Sequence, residues 1–490
     1  MLKSIKESPL YPIANPESIA FFGASNNISA MGTNLLLSLL DLGFEGAVYP
    51  IHPKEERVHN LKAYRSVTDL PEVPDVAVLV LPTRIVCRTM DECGRKGIKH
   101  AIVVSGGFKE KGGQGIGLEK ELIEIAGRYG IRFLGPNCIG VANPYHRLNT
   151  TFIPHEGPSG FIGLASQSGS FITQMFNYLA GYGLGFSTAF SVGNEANIDL
   201  VECLEYLGAC SRTKVIALYI EGINRGREFV KTARSIVPHK PIVALYIGGS
   251  EAGKRAGFSH TGAMAGPDQL YDGIFQQSGV IRAQCITELF DFCWGLGSLP
   301  EPRGPKVVIQ THSGGPGAAA ADSCGRAGLE LPALSGETIE KLSPFVPPTG
   351  SVNNPVDLTF TKNPLHFFSE IPGILIDEEK ADTLLIYMLN APQVMRRTLT
   401  NMGVPEEQVE GQSSKLIASQ AKSLSRLFQN RNKPLVGYTF RSLDDPAIRS
   451  IMDQGIPVFR GPERAARTIR ALVQYDRMRE RILAGTGGPG

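Results

Sequence analysis

His260 lies in the segment GFSHTGAMAG, where Gly257, Ser259, Thr261 and Gly262 leave an imidazole open to approach by a bulky anion. A neutral ring nitrogen in such a setting is a nucleophile for phosphorus when the other nitrogen is hydrogen-bonded, and a carboxylate is the usual partner. Glu221, after the apolar run VIALYI and before Gly222, is the carboxylate best placed to serve it. On local pattern alone, a surface histidine and an ordinary loop glutamate remain open readings.

Three Gly/Ser-rich turns could receive phosphate groups, because each follows an apolar run and opens a helix-like stretch. Helix N-termini carry unpaired N–H groups and the positive end of the dipole. The first turn is Gly23-Ala24-Ser25. The second runs Ser166-Gln167-Ser168-Gly169-Ser170, and the third, Thr311 to Gly317, contains Ser313, Gly314, Gly315 and Gly317. Simple helix capping would account for each turn taken singly. In the first turn the glycines at 23 and 32 do not match a dinucleotide fingerprint, and the second strand ends in His52-Pro53-Lys54 with no acidic residue for a ribose diol. NAD is therefore disfavoured. Lys54 suits a ligand with an extra ribose phosphate, coenzyme A or NADP, and a solvated lysine is the alternative.

The elements that position these groups alternate. From Ser18, short β-branched runs (SIAFF, VAVLVLP, HAIVVSGG, IRFLGPN) are separated by amphipathic stretches, which predicts mostly parallel, doubly wound α/β sheets. The polar stretch NPYHRLNTTFIPHEGPSG from 143 to 160 reads as a linker or crossover, and SLPEPRGPK near 300 reads as a second boundary. At 490 residues the chain is too long for one core and predicts about three domains. A net charge of +2 excludes a footprint for nucleic acid or anionic lipid, and 42% apolar content fits a globular protein. Eight cysteines without CxxC or zinc spacing point to a reducing compartment and to no metal site. With neither a signal peptide nor an 18-residue apolar run, the expected location is the cytoplasm, away from membranes.

The motifs GAS (23 to 25), SGGF (105 to 108), GPNCIG (135 to 140), SQSGS (166 to 170), SVGNEANID (191 to 199), YIEG (219 to 222), SHTGAMAG (259 to 266) and NPVDLT (354 to 359) together resemble the α subunit of NDP-forming acyl-CoA synthetases, in the succinyl-CoA synthetase superfamily. The resemblance spans nearly the whole chain. It implies a Rossmann-like CoA-binding domain over 1–145 and a flavodoxin-like, phosphohistidine-carrying domain over 146–299. A ligase-CoA-like domain, also flavodoxin-like, follows over 300–475, with a tail over 476–490.

It also implies roles: His260 as phosphoryl carrier, Glu221 as its partner, and Ser166, Ser168, Gly169, Ser170 and the Ser313–Gly317 turn as phosphate-stabilising helix starts. Gly23, Ser25, Lys54, Ser105, Gly106, Asn137 and Cys138 fall to coenzyme A. The implied chemistry interconverts acyl-CoA, ADP and phosphate with acid, CoA and ATP. ATP/ADP and Mg²⁺ would sit on an ATP-grasp β subunit in a hetero-oligomer, with a small carboxylic acid as substrate. A non-catalytic CoA-binding or regulatory protein and an NADP-dependent oxidoreductase are the alternatives.

Overall fold

The computed structural model describes residues 4–155, 157–253, 266–359, 364–389 and 392–485. They form two compact units, one comprising 1–180, 184–289 and 485–490 and the other 181–183 and 290–484. Among the described residues, no helix is long and apolar enough to cross a membrane.

The first unit holds two sheets. In one, strands Ala47–Ile51, Ser18–Phe22, Val76–Leu79, His100–Val103 and Arg132–Leu134 lie side by side, all parallel. Numbered along the chain, that order is 2-1-3-4-5. Strands covered on both faces must be apolar throughout, and Ser18–Phe22 and Val76–Leu79 are buried at every position. The covering helices end where the sequence offers a left-handed residue. Gly97 (φ 101°) and Gly130 (φ 66°) close Thr83–Lys96 and Gln114–Tyr129 by donating their N–H groups to the last turn.

The second sheet repeats the plan. Its parallel strands run Phe186–Ser191, Ile162–Ser166, Val215–Ile220, Ile242–Tyr246 and Ile281–Ala283, again 2-1-3-4-5. Two antiparallel strands, Val141–Asn143 and Leu148–Asn149, extend its edge. Part of the stretch expected to be a linker is therefore sheet. Strands of two and three residues are too short for periodicity to reveal.

A seam joins the two sheets within this unit. The N–H groups of Asn194, Ala196 and Ile198 donate to the carbonyls of Pro136, Gly135 and Phe133, at 2.9, 3.1 and 3.1 Å. Arg132 reinforces it by donating to Asn197 Oδ1 (2.9 Å) and to Glu202 Oε1 (2.6 Å). The SVGNEANID motif is this seam.

The second unit carries the third sheet, with parallel strands Val356–Asp357, Val307–Thr311, Thr383–Tyr387, Leu435–Thr439 and Val458–Arg460. The order is 2-1-3-4-5 once more. In each of the three sheets, a Gly/Ser-rich turn identified from sequence follows the central first strand. This is the topological switch point, where an open parallel sheet has its ligand crevice.

Candidate functional site

At the switch point of the first sheet lies a cavity of about 550 Å³, within the range for small-molecule sites. Its wall includes Gly23, Ser105, Gly106, Asn137 and Cys138 from the first sheet's loops, and Gln167, Gly169 and Ser170 from the second sheet's first turn. Two groups of residues assigned to different ligands thus meet at one cavity. Ser25 and Lys54 are not among its lining residues, and Lys54 is exposed in the loop after the second strand.

Glycine is required at two points of this wall. Gly23 has φ 94°, and a Cβ there would stand 1.9 Å from the Val80 carbonyl oxygen. A Cβ on Gly32 would stand 2.2 Å from the Gly23 carbonyl oxygen. The spacing that failed the dinucleotide fingerprint therefore has its own purpose, since Gly32 lets helix Met31–Asp41 abut the Gly23 turn. That helix starts beside the cavity with no side-chain cap on Ala30, leaving its first N–H groups to face a ligand. Gly23→Ala is expected to lower unfolding stability by about 1–3 kcal/mol, read as a shifted urea midpoint. An unchanged midpoint would show that the turn relaxes at no cost.

Several side chains work inward. The Ser105 hydroxyl donates to the Leu81 carbonyl (2.6 Å) and accepts from the Leu81 N–H (3.0 Å), so it pins two strand ends together and leaves backbone for a ligand. The Ser25 hydroxyl accepts from the Asn27 N–H (3.2 Å). Cys138 is buried with its thiol 3.4 Å from the Val103 carbonyl, and burial pushes its pKa up to about 12. A thiol so shifted is no nucleophile at neutral pH.

At the second turn, the Ser166 hydroxyl accepts from the Ser168 N–H (3.2 Å) and donates to the Ser168 carbonyl (2.7 Å). This closes the loop that launches helix Gly169–Ala180. Ser166 and Ser168 are buried, whereas Ser170 is exposed. In the second unit, the Thr311 hydroxyl makes the same pair of bonds to the Ser313 N–H (3.2 Å) and carbonyl (2.9 Å). Helix Gly314–Arg326 starts there with no side-chain cap. A Cβ on Gly315 would meet nothing within 4 Å, while one on Gly317 would stand 2.7 Å from Thr311 Cγ2.

Glu221 is buried immediately beyond strand Val215–Ile220. Its N–H and that of Gly222 both donate to Gln167 Oε1, the second at 3.0 Å. His260 lies outside the described residues.

The candidate list drawn from sequence omitted Gln167, Asn194 and Glu195. Asn194 donates to Glu110 Oε2 (2.7 Å) and Glu119 Oε2 (2.9 Å), while Asn137 donates to Asn194 Oδ1 (3.3 Å). Burial disfavours the charge on Glu110. Bonds from Asn194 and from the Gly107 and Phe108 N–H groups outweigh it and hold the carboxyl below its usual pKa. For Glu195, burial dominates instead and raises its pKa to about 7. The signal for both residues was the SVGNEANID motif, whose amide and carboxylate residues had been given no role.

Comparison with known proteins bears on the whole chain. Residues 17–144 match the CoA binding domain, 159–296 the succinyl-CoA ligase like flavodoxin domain, and 307–425 the ligase-CoA domain. The α subunit of ADP-forming acetate–CoA ligase II of Pyrococcus furiosus is 37% identical over 94% of this chain and 96% of its own length. The α subunit of isoenzyme I from the same organism is 35% identical over 96% and 98%. Acetyl-coenzyme A synthetase 1 of Ca. Korarchaeum cryptofilum, solved with phosphate and ADP, superposes with a TM-score of 0.86 at 32% identity, covering 98% of this chain and 99% of that one. With relatives matched nearly end to end and three family domains in the same order as its three sheets, the chain belongs to the ADP-forming acetate–CoA ligase α-subunit family.

Proposed function

We propose that this chain is the CoA-handling, histidine-phosphorylated subunit of a ligase that interconverts acyl-CoA, ADP and phosphate with a free carboxylic acid, CoA and ATP. The observation that carries the reading is one cavity in the first unit, at the switch point of its first sheet. Its wall joins the Gly23, Gly106 and Asn137 loops to the Gly169–Ser170 helix start, so a cavity of small-molecule size adjoins a helix N-terminus, whose dipole and free N–H groups suit an anion. Coenzyme A fits the polar backbone and small residues of that wall, which the glycines keep clear of Cβ atoms.

In the thioester-cleaving direction, a phosphate oxygen attacks the thioester carbonyl carbon. The C–S bond breaks, its electron pair leaves on sulfur, which takes a proton, and an acyl phosphate results. An imidazole nitrogen of His260 then attacks phosphorus, and the carboxylate departs with the P–O bonding pair. Glu221 balances the positive charge on the phosphorylated ring. The helix start of Gly169–Ala180 stabilises phosphoryl oxygens in this scheme. Little covalent chemistry is asked of the protein, so positioning and charge stabilisation dominate.

Transfer from phospho-His260 to ADP with Mg²⁺ falls to an ATP-grasp partner. The lengths of the relatives support this division. This chain spans 96% and 98% of relatives named α subunits, but 64% and 48% of the acetate–CoA ligases of Archaeoglobus fulgidus and Methanocaldococcus jannaschii, which carry no subunit name. Relatives named for 4-hydroxybutyrate and trans-ferulate show that the acid varies among such proteins.

The test is co-purification with the partner, followed by incubation with radiolabelled phosphate and a panel of acyl-CoA thioesters. The expected result is acid-labile, alkali-stable label on this chain with one or more thioesters, together with binding of CoA in preference to NADP. CoA binding with no label from any thioester or from ATP would replace the reading with a non-catalytic CoA-binding protein.

A further inference from the structure

Glu195 and Gln167 form a closed hydrogen-bonded unit beside the cavity, and neither has been given a role so far. Glu195 holds φ 55°, a left-handed backbone conformation uncommon for a residue with a side chain and one that must be stabilised by its surroundings. Its carboxylate accepts from three N–H donors. Oε1 takes the N–H of Leu200 (2.8 Å), the first residue of helix Leu200–Ala209, and Oε2 takes Gln167 Nε2 (2.9 Å) and Asn224 Nδ2 (3.1 Å).

Gln167 is saturated in turn. Its Oε1 accepts from the N–H groups of Glu221 and Gly222, and its Nε2 donates to Glu195 and to the Gly222 carbonyl (2.8 Å). Because donors meet Glu195 at both of its oxygens, the contact sets the Gln167 amide with its Nε2 toward the Glu195 side chain. That orientation puts the amide oxygen on the Glu221 and Gly222 N–H groups. Gln167 also belongs to the turn that launches helix Gly169–Ala180, so one side chain spans from the phosphate-binding turn to the backbone of Glu221.

We propose that Glu195 is a positioning residue for phosphoryl transfer, acting through Gln167 to hold Glu221 and the Ser168–Ser170 helix start in register with each other. The inference rests on the phosphohistidine reading above and adds to it a residue that touches neither substrate. The preceding residue, Asn194, faces the opposite way, toward Asn137 and the CoA loops. The two halves of the site thus hang from adjacent residues of one seam.

Glu195→Gln replaces one accepting oxygen by a donating amide, so at least one of the three N–H donors loses its acceptor. In the complex with the partner, His260 phosphorylation is expected to slow about 10- to 100-fold, with kcat falling in parallel and KM for CoA unchanged. Gln167→Ala is expected to slow it comparably, and the double variant to be no slower than the worse single variant, since both act through one contact. Glu195→Asp keeps the charge but shortens the reach, and is expected to give an intermediate rate. It also serves as the test if Glu195→Gln does not fold.

Wild-type rates in either Glu195 variant, additive losses in the double variant, or a rise in KM for CoA matching the loss in rate would each overturn the proposal. A wild-type complex that takes up no label overturns the phosphohistidine reading, and this inference with it. A wild-type complex that is labelled alongside an equally fast Glu195→Gln overturns this inference alone.

Discussion

Replacing His260 with Ala is expected to abolish acid-labile phosphorylation of the chain, from acyl-CoA plus phosphate as well as from ATP, and to leave CoA affinity essentially unchanged. The imidazole is the only group of this chain that bonds to phosphorus in the proposed scheme, so its loss removes labelling of the chain outright. The described wall of the proposed CoA cavity is built from Gly23, Gly106, Asn137 and their neighbours. Phosphorylation is read by label stable in alkali and lost in acid, and CoA binding by titration calorimetry. Undiminished label in the variant would remove His260 from the mechanism, and lost CoA binding would show that the carrier segment also builds the CoA site.

The second large effect concerns stability. Asp291 → Ala is expected to destabilise the second unit by about 3–5 kcal/mol. Asp291 is buried, and its two oxygens receive Arg464 Nε (2.7 Å) and Nη2 (2.6 Å) in a bidentate pair. Burial opposes the charge on Arg464, yet the bonds and field of Asp291 outweigh it and raise its pKa. The pair ties helix Ile286–Ser298 to helix Pro462–Gly485, beside the edge-to-face contact of Trp294 and Tyr182.

Removing the aspartate leaves a guanidinium in place without its counter-charge, which costs more than the pair contributes. At about 2–4 °C per kcal/mol for a unit of this size, the corresponding thermal transition falls by roughly 10 °C. The double variant with Arg464→Ala is expected to be more stable than Asp291→Ala alone. A double variant that loses the sum of both single losses would show that the two side chains act independently.

Much of this architecture was legible because the fold is written in contrasts. Runs such as SIAFF and IGLA are almost wholly apolar because helices cover both faces, and the turns after them are rich in glycine and serine. The three candidate turns were found on that contrast alone, and all three lie at equivalent places in equivalent sheets. The hairpin Val141–Asn143 with Leu148–Asn149 escaped because its strands are too short to show alternation.

Within the site, the candidates brought to the cavity came from the Gly23 turn and from the SGGF and GPNCIG motifs of the family resemblance, among them Gly106 and Asn137. Lys54 was chosen for its charge, and it stands exposed away from the lining. Glu195 was hidden for a different reason. Its place depends on a left-handed backbone angle and on partners at 167, 200 and 224, and no local pattern encodes those meetings.

The hydroxyl of Ser166 and that of Thr311 are both consumed in closing their own loops. On the proposed function, a cradle built this way would grip an anion through main-chain N–H groups, which every amino acid supplies alike. Neighbouring side chains would then be released from holding phosphate and free to vary with the acid, without any redesign of the part that holds phosphorus.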